Sequence, residues 1–238
     1  MSSKKQILST ALLEDKLVAK AAESDIGLEC IQFIEIEHSK DEAVCADVMA
    51  MCNEQLTAVF TSVNAVNAVA DIIKGAMPQW SIYCVGNATK KAVLDHFVPA
   101  AIKGVANDAS ALAEVIIKSG EKEVAFFCGD KRMDILPELL ANSKVAVKEV
   151  EVYRTKETPQ KVARRYDGIL FFSPSGVSSF FGANEIDKDV VLFAIGKTTA
   201  AAIKNVTGHQ VIISDVPSKN ELAYKAIKYF KQQATVKE

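Results

Sequence analysis

The stretch Phe171-Phe172-Ser173-Pro174-Ser175-Gly176-Val177 decides the fold, and Val59-Phe60-Thr61-Ser62-Val63-Asn64-Ala65-Val66 repeats its pattern earlier in the chain. In each, apolar β-forming residues end in small polar residues that open a helix, which is typical of a parallel strand passing into a helix in an α/β domain. A hydroxyl residue at the helix start accepts hydrogen bonds from first-turn N–H groups, and the remaining N–H groups point outward. Each junction therefore predicts a pocket for an anion.

Length and composition narrow the class of protein. The 238 residues are enough for one large α/β domain or two modest ones, and 49% hydrophobic with 24% charged residues predicts an ordered globular fold. A formal net charge of −2 argues against a nucleic-acid partner, which usually needs a concentrated excess of Lys and Arg. No apolar run is long enough to span a bilayer, and residues 1–6 show no signal-peptide pattern. We therefore expect a cytoplasmic protein without a membrane partner.

The cysteines and histidines show no metal-binding pattern. The five cysteines lack CxxC spacing, and three of them lie in apolar strand-like runs, so buried and reduced thiols are expected. His38, His96 and His209 lie far apart, without Cys, Asp or Glu partners at metal spacing. The sequence therefore predicts no metal site.

Strand-like and helix-like segments alternate along the chain, as in consecutive βα units. We predict strands at 6–10, 56–60, 81–85, 124–128, 168–172, 190–195 and 210–214, and helices at 12–24, 41–53, 63–74, 86–96, 108–118, 133–141, 159–165, 175–181, 196–205 and 218–232. Two further stretches, 28–38 and 145–155, alternate apolar and polar residues, which indicates strands with one exposed face. One explanation is that these two strands pair with each other as the connection between domains.

An internal repeat favours two domains over one. At one constant offset, Gly86, Thr89, Ala92, Val93, Leu112, Ala113 and Ile117 match Gly196, Thr199, Ala202, Ile203, Leu222, Ala223 and Ile227. Thr61-Ser62 falls within one residue of that offset from Phe172-Ser173. Three strand-to-helix junctions therefore recur in the same order.

The candidate binding surface consists of small polar residues that follow the predicted strands, because ligands of open parallel sheets bind beyond the carboxyl ends of the strands. Small side chains there leave backbone N–H groups accessible. The candidate residues are Thr10, Thr61, Ser62, Asn64, Gly86, Asn87, Thr89, Gly129, Asp130, Ser173, Ser175, Gly176, Gly196, Thr198 and Thr199. Helix capping alone explains any single Ser or Thr, whereas recurrence across two units favours a binding surface.

No nucleophile paired with a base can be identified at these junctions. The segment 173–176 lacks the Gly-x-Ser-x-Gly elbow, and neither a Gly-x-Gly-x-x-Gly fingerprint nor a complete P-loop is present. A site rich in backbone donors and poor in titratable side chains suits a reaction that depends on positioning and charge stabilisation.

Five segments, in order, resemble the uroporphyrinogen-III synthase family. They are Phe-Thr-Ser-Val-Asn-Ala-Val (60–66), Val-Gly-Asn-Ala-Thr (85–89), Val-Tyr-Arg-Thr (152–155), Phe-Phe-Ser-Pro-Ser-Gly-Val (171–177) and Ala-Ile-Gly-Lys-Thr-Thr-Ala-Ala-Ala-Ile (194–203). The resemblance implies two doubly wound parallel-sheet, flavodoxin-like α/β domains joined by a two-stranded β-ladder. It implies a discontinuous domain of 1–27 and 157–238, an inserted domain of 39–143, and a linker of 28–38 and 144–156.

The resemblance also implies an activity. The family's reaction is the dehydrative cyclisation of hydroxymethylbilane to uroporphyrinogen III, with inversion of the last pyrrole ring through a spiro intermediate and without cofactor or metal. The only partner implied is this linear tetrapyrrole, and a monomer is expected. Its eight carboxylates would suit two facing rows of helix N-termini.

Particular residues follow from the same resemblance. Tyr153 matches the family's ladder tyrosine and is the candidate donor of a hydrogen bond to the leaving hydroxyl, although a tyrosine that only packs at a domain junction would look the same. Asn64 stands where many members carry Arg, so Lys131 and Arg132 are the alternative source of positive charge.

Two other functions stay open from the sequence. One is a non-catalytic two-domain protein that binds a carboxylated ligand such as a tetrapyrrole. The other is a flavodoxin-like signalling domain, which needs an acidic phosphoacceptor pocket that Asp130 alone does not make.

Overall fold

The computed structural model describes residues 4–235, and the chain divides into two compact units. Unit 1 comprises Met1–Glu35 together with Lys156–Glu238, and unit 2 comprises Ile36–Thr155. Residues 1–3, the start of the stretch searched for a signal peptide, lie outside the described residues. Within 4–235, no helix is long and apolar enough to cross a membrane.

The secondary structure alternates strands and helices along nearly the whole chain. The strands of the described residues are β1 (Lys5–Ser9), β2 (Ile26–Cys30), β3 (Ile34–His38), β4 (Thr57–Phe60), β5 (Ser81–Val85), β6 (Ile102–Ala106), β7 (Glu123–Gly129), β8 (Ala146–Glu157), β9 (Gly168–Phe171), β10 (Val191–Ala194) and β11 (Val211–Ile213). The α-helices are α1 (Asp15–Glu23), α2 (Glu42–Met51), α3 (Val63–Ile73), α4 (Gly86–His96), α5 (Ala109–Lys118), α6 (Ile135–Asn142), α7 (Pro174–Phe181), α8 (Lys197–Val206) and α9 (Lys219–Thr235).

Unit 1 contains a five-stranded sheet in the order β2-β1-β9-β10-β11. Every neighbouring pair is parallel, and this is the strand order of flavodoxin-like sheets. The central strand β9 is buried along its whole length. Leu170 packs with Phe193 in one apolar cluster and Phe171 packs with Phe180 in another, because successive side chains of a strand point to opposite faces. Helices therefore cover both faces of the sheet.

Unit 2 contains a six-stranded sheet in the order β3-β8-β7-β4-β5-β6. The pairs β4–β5, β4–β7, β5–β6 and β7–β8 are parallel. Strand β4 is fully buried, and the ring of Phe127 stacks between Phe60 and Trp80, with centroids 5.2 and 5.3 Å away. Large apolar side chains thus fix the centre of this sheet.

The two units contain the same fold in a different chain order. The segment from β4 to α5 has its counterpart in the segment from β9 to α9, and the strands β6-β5-β4-β7-β8 occupy the places of β11-β10-β9-β1-β2. The pair β7 and β8 follows its common segment in the chain, whereas β1 and β2 precede theirs. The repeat identified in the sequence is therefore circularly permuted, with both sheets doubly wound.

The prediction of one strand at 28–38 is wrong. Leu28 to Cys30 belong to β2 and pair with β1, while β3 starts at Ile34 and lies beside β8 in the other sheet. The chain leaves the first sheet between them because Phe33 is fully buried against the ring of Phe180, at 5.2 Å. The alternation is confirmed in β3 and β8, whose burial varies along the strand. That these strands act as a linking ladder stays a prediction.

Two further details of the secondary structure differ from what the sequence predicts. The helix predicted at 159–165 is absent, because Val162 donates its N–H to the side chain of Asn184 and Gln160 bonds to the backbone of Gln32. The strand β6 was not predicted. It is an edge strand in which only alternate residues are half-buried.

A cluster of three side chains fastens the segment before β9 to β2. The Tyr166 hydroxyl donates to Glu29 Oε2 at 2.7 Å, and Arg164 Nε donates to the same oxygen at 2.8 Å. Hydrogen bonds from Tyr166 and then Arg164 lower the pKa of Glu29 below its ordinary value of 4.5. The cluster therefore stabilises the folded state when Glu29 is ionised.

Replacing Tyr166 by phenylalanine is expected to lower the free energy of unfolding by about 1 kcal/mol at about pH 7. A carboxyl whose folded pKa is depressed contributes stability above its unfolded pKa, and this contribution is lost as the pH falls through the folded pKa. The difference from wild type, measured by urea unfolding, should therefore shrink below pH 4.5. Tyr224→Phe on the exposed part of α9 is the control. An equal loss of unfolding free energy at about pH 7 and below pH 4.5 would contradict the stabilising role of ionised Glu29.

Candidate functional site

Tyr153 lies at the carboxyl end of the sheet in unit 2, beside the start of α3. Its hydroxyl donates to Ser62 Oγ at 3.3 Å. Ser62 is the N-cap of α3, and its Oγ accepts from the backbone N–H of Asn64 at 3.1 Å. The strand-to-helix junction predicted from the sequence thus brings Ser62, Asn64 and Tyr153 together.

Gly129 and Asp130, at the end of β7, contact the same tyrosine. A Cβ atom on Gly129 would lie against the Tyr153 ring and 2.8 Å from its hydroxyl oxygen. The backbone N–H of Asp130 donates to the Tyr153 carbonyl at 3.2 Å, and Asp130 Oδ1 accepts from the N–H of Thr155 at 2.9 Å. Thr61, which follows β4, is half-buried at the same edge.

The protonation of this cluster suits a hydrogen-bond donor. Burial raises the pKa of Tyr153 above its ordinary value of 10.0, and the hydrogen bond with Ser62 opposes that shift. The phenol is therefore neutral at physiological pH and carries a proton to donate. Burial likewise raises the pKa of the Cys128 thiol to about 11, so this neighbouring cysteine is not a thiolate nucleophile.

Helices α4 and α8 begin at equivalent places in the two units without a side-chain cap. Gly86 opens α4 with a φ of 64°, a conformation that favours glycine. Gly196 is the N-cap of α8, and a Cβ there would meet nothing within 4 Å. First-turn N–H groups at both helix starts therefore have no side-chain partner among the described residues. The side chain of Asn87, a predicted site residue, lies outside the described part.

The remaining predicted residues of these two helices differ in exposure. Thr89 on α4 and Thr199 on α8 are 6% and 3% exposed, so both residues are buried. Thr198 is exposed at the start of α8. The sequence pattern could not separate these neighbouring threonines, because both stand in the first turn of the same helix.

In unit 1, small polar residues follow the equivalent strands β1 and β9. Ser173 caps α7 and accepts from the N–H of Gly176 at 3.0 Å. A Cβ on Gly176 would lie 3.3 Å from Ser173 Oγ and 3.7 Å from Thr10 Oγ1. Thr10 is buried and donates to the Leu170 carbonyl at 2.8 Å, while Ser175 is half-buried in the first turn of α7.

The charged groups near the site are paired in ways that the sequence does not predict. Arg132 bonds to the carboxylate of Glu149 and lies 3.8 Å from Asp134, so its charge is already partly balanced. Lys219, at the start of α9, is exposed and lies 5.9 Å above the ring of Phe172, which directly follows β9. No local pattern in the sequence identifies either contact, because each joins residues far apart in the chain.

Residues 4–235 contain no group of three or more His, Cys, Asp or Glu side chains that could hold a metal ion. His38 bonds to Asp71 at 2.5 Å, and His209 bonds to Thr207 and to the carbonyl of Asp187. The two histidines therefore share no hydrogen-bond partner.

Comparison with known protein families gives one match over most of the chain. The family model described as "HEM4: Uroporphyrinogen-III synthase HemD" matches residues 15–223. The matched range includes both strand-to-helix junctions and Tyr153.

Two solved structures of similar fold are proteins of Thermus thermophilus and Helicobacter pylori. A crystal structure of a mutant uroporphyrinogen III synthase from the extremely thermophilic bacterium Thermus thermophilus has a TM-score of 0.66 at 15% identity, covering 96% of this chain and 99% of that chain. The structure of uroporphyrinogen-III synthetase from Helicobacter pylori has a TM-score of 0.66 at 18% identity, covering 94% and 99%. These similarities confirm the predicted α/β fold with two parallel sheets.

Proposed function

Because the chain belongs to the uroporphyrinogen-III synthase family, we propose that the carboxylates of hydroxymethylbilane bind at the strand-end surfaces of its two units. The family consists of lyases of haem biosynthesis, and its substrate is a small-molecule tetrapyrrole. The activity of this chain is accordingly the formation of uroporphyrinogen III.

The observation that carries the binding proposal is the pair of uncapped helix starts. Helices α4 and α8 have 11 and 10 residues, and neither has a side-chain cap among the described residues. Free first-turn N–H groups, with the positive end of the helix dipole behind them, stabilise a bound carboxylate. Gly86 and Gly196 add no side chain that would cover these N–H groups. Helices α3 and α7 differ, since Ser62 and Ser173 already occupy one N–H group of each.

Tyr153 is proposed to donate a hydrogen bond to the hydroxyl group that leaves hydroxymethylbilane as water. A leaving oxygen gains negative charge as its carbon–oxygen bond breaks, so a neutral donor at that point lowers the barrier. The raised pKa of Tyr153 keeps its phenol protonated. The hydroxyl that donates to Ser62 in this structure would donate to the leaving oxygen instead when the substrate is bound. The last pyrrole ring of the same hydroxymethylbilane molecule then attacks the carbon that has lost the oxygen. This step depends on how the substrate is held.

The alternative of a non-catalytic binding protein is not favoured by the family match. Its discriminating result would be tight tetrapyrrole binding without any change in the isomers formed. We also propose that the protein is a monomer in the cytoplasm that needs no nucleic acid or membrane. Size-exclusion chromatography with light scattering tests the monomer.

The activity is tested by an isomer assay. Purified protein, in buffer with a chelator and no added cofactor, is expected to convert hydroxymethylbilane into the type III isomer. The products are oxidised to porphyrins and separated by chromatography, and a reaction without protein gives the spontaneous type I isomer as reference. Type I alone in the presence of folded protein would refute the proposal.

A further inference from the structure

We propose that Gly129 and Asp130 are positioning residues for Tyr153, with Gly129 making room for its ring and the Asp130 side chain holding its strand in register. The inference rests on the proposed role of Tyr153. It assigns to both residues a task different from the substrate binding predicted from the sequence.

The space for the tyrosine ring depends on the missing side chain of Gly129. An added Cβ would lie against the ring and 2.8 Å from the hydroxyl oxygen, a distance that real Cβ atoms essentially never show. The ring cannot withdraw freely, because Tyr153 also packs against the apolar core of unit 2. Any larger residue at 129 must therefore displace the hydroxyl from Ser62.

Asp130 continues the pairing between β7 and β8 after β7 has ended. The register between these strands shifts between Cys128 and Gly129, where Gly129 pairs with Tyr153. Beyond that point the Asp130 N–H donates to the Tyr153 carbonyl, and Asp130 Oδ1 accepts from the Thr155 N–H. Asp130 thus bonds to the backbone on both sides of Arg154 and fixes the strand that carries Tyr153.

The chemistry of Asp130 argues against direct binding of the substrate. A carboxylate repels the carboxylates of a polyacid, and one oxygen of Asp130 is already used by Thr155. The Asp130 carboxylate is directed at a backbone N–H, where it closes the strand pairing. In this role its negative charge does not oppose substrate binding.

The first experiment compares Asp130→Ala with Asp130→Asn. Alanine removes the acceptor, so we expect kcat to fall about 10-fold because Tyr153 is displaced, with a smaller change in KM. Asparagine keeps an acceptor oxygen and should recover most of that loss. Asp134→Ala, an exposed carboxylate four residues further on, is the matched control and should match wild type. A loss in Asp130→Asn as large as in Asp130→Ala would overturn the positioning role.

The second experiment is a double-mutant cycle with Gly129→Ala and Tyr153→Phe. Gly129→Ala alone should lower kcat about 10-fold. In the Tyr153→Phe background it should have almost no further effect, since the hydroxyl it displaces is gone. Fully additive losses, in proteins whose unfolding midpoints equal those of the single variants, would contradict action through Tyr153.

A third measurement separates this inference from the proposed function. The ring carbons of Tyr153, labelled with ¹³C and assigned with Tyr153→Phe, report the position of the ring by NMR. Gly129→Ala and Asp130→Ala should shift this signal and Asp130→Asn should leave it near its wild-type position. If Tyr153→Phe keeps full turnover while these shifts appear, the catalytic role fails and the positioning contact stands. An unshifted signal in both variants would refute the contact itself.

Discussion

Replacing Tyr153 by phenylalanine is expected to lower kcat about 100- to 1,000-fold with little change in KM. The variant removes the phenolic hydroxyl that lies 3.3 Å from Ser62 Oγ, and it keeps the ring that fills the space above Gly129. An interaction made mainly in the transition state affects kcat and kcat/KM equally. Steady-state kinetics with freshly prepared hydroxymethylbilane measures both constants.

Tyr83→Phe is the matched control for this variant. Tyr83 is a buried tyrosine of β5 in the same unit, and its hydroxyl donates to Glu121 at 3.1 Å, away from Ser62. Loss of the Tyr83 hydroxyl should reduce stability and leave kcat unchanged.

A second check is the pH profile of kcat. Burial raises the pKa of Tyr153 above 10.0, so deprotonation should reduce kcat only above that pH. Full turnover by Tyr153→Phe would remove Tyr153 from the mechanism.

Replacing Gly196 by aspartate is expected to raise KM about 10- to 100-fold while the protein stays folded. Gly196 has an extended backbone, with a φ of −168°, and space around its Cβ position, so the aspartate fits. Its carboxylate would cap α8 and occupy the N–H groups proposed for the substrate. The expected loss is that of one hydrogen bond to a charged group, about 1.5 to 3 kcal/mol, together with repulsion between carboxylates.

The control is Gly208→Asp, just beyond the other end of α8. A Cβ at Gly208 also meets nothing within 4 Å, so the same charge enters the same unit without covering a helix start. KM should stay near wild type. The equivalent change at Gly86 is less informative, because its positive φ would add backbone strain to any effect. An unchanged KM in Gly196→Asp would exclude this helix start from substrate binding.

The fold was predictable where the signal was local. The junctions after β4 and β9 combine a fully buried strand with a serine cap, and both features can be recognised from neighbouring residues. The break between β2 and β3 was not predictable, because it depends on the burial of Phe33 against Phe180, far along the chain. The wrong helix at 159–165 has the same cause, since Asn184 takes the N–H that a helix would use.

The candidate site was predictable only in part for related reasons. Hydroxyl residues at helix starts follow from capping rules, which explains why Ser62 and Ser173 were found. The roles of Gly129 and Asp130 depend on contacts with β8, and the pairing of Arg132 with Glu149 depends on strand register. Register is set by the whole sheet and cannot be deduced from one segment.

The permuted order of the two units has a consequence for biosynthesis. Unit 2 is continuous, so all strands of its sheet have been translated once the ribosome has passed residue 157. Strand β1 instead pairs with β9, and the contact between Thr10 and Leu170 closes a loop of 160 residues. The first 35 residues therefore leave the ribosome with an exposed apolar edge and wait for the last third of the chain, so unit 1 completes its folding after unit 2.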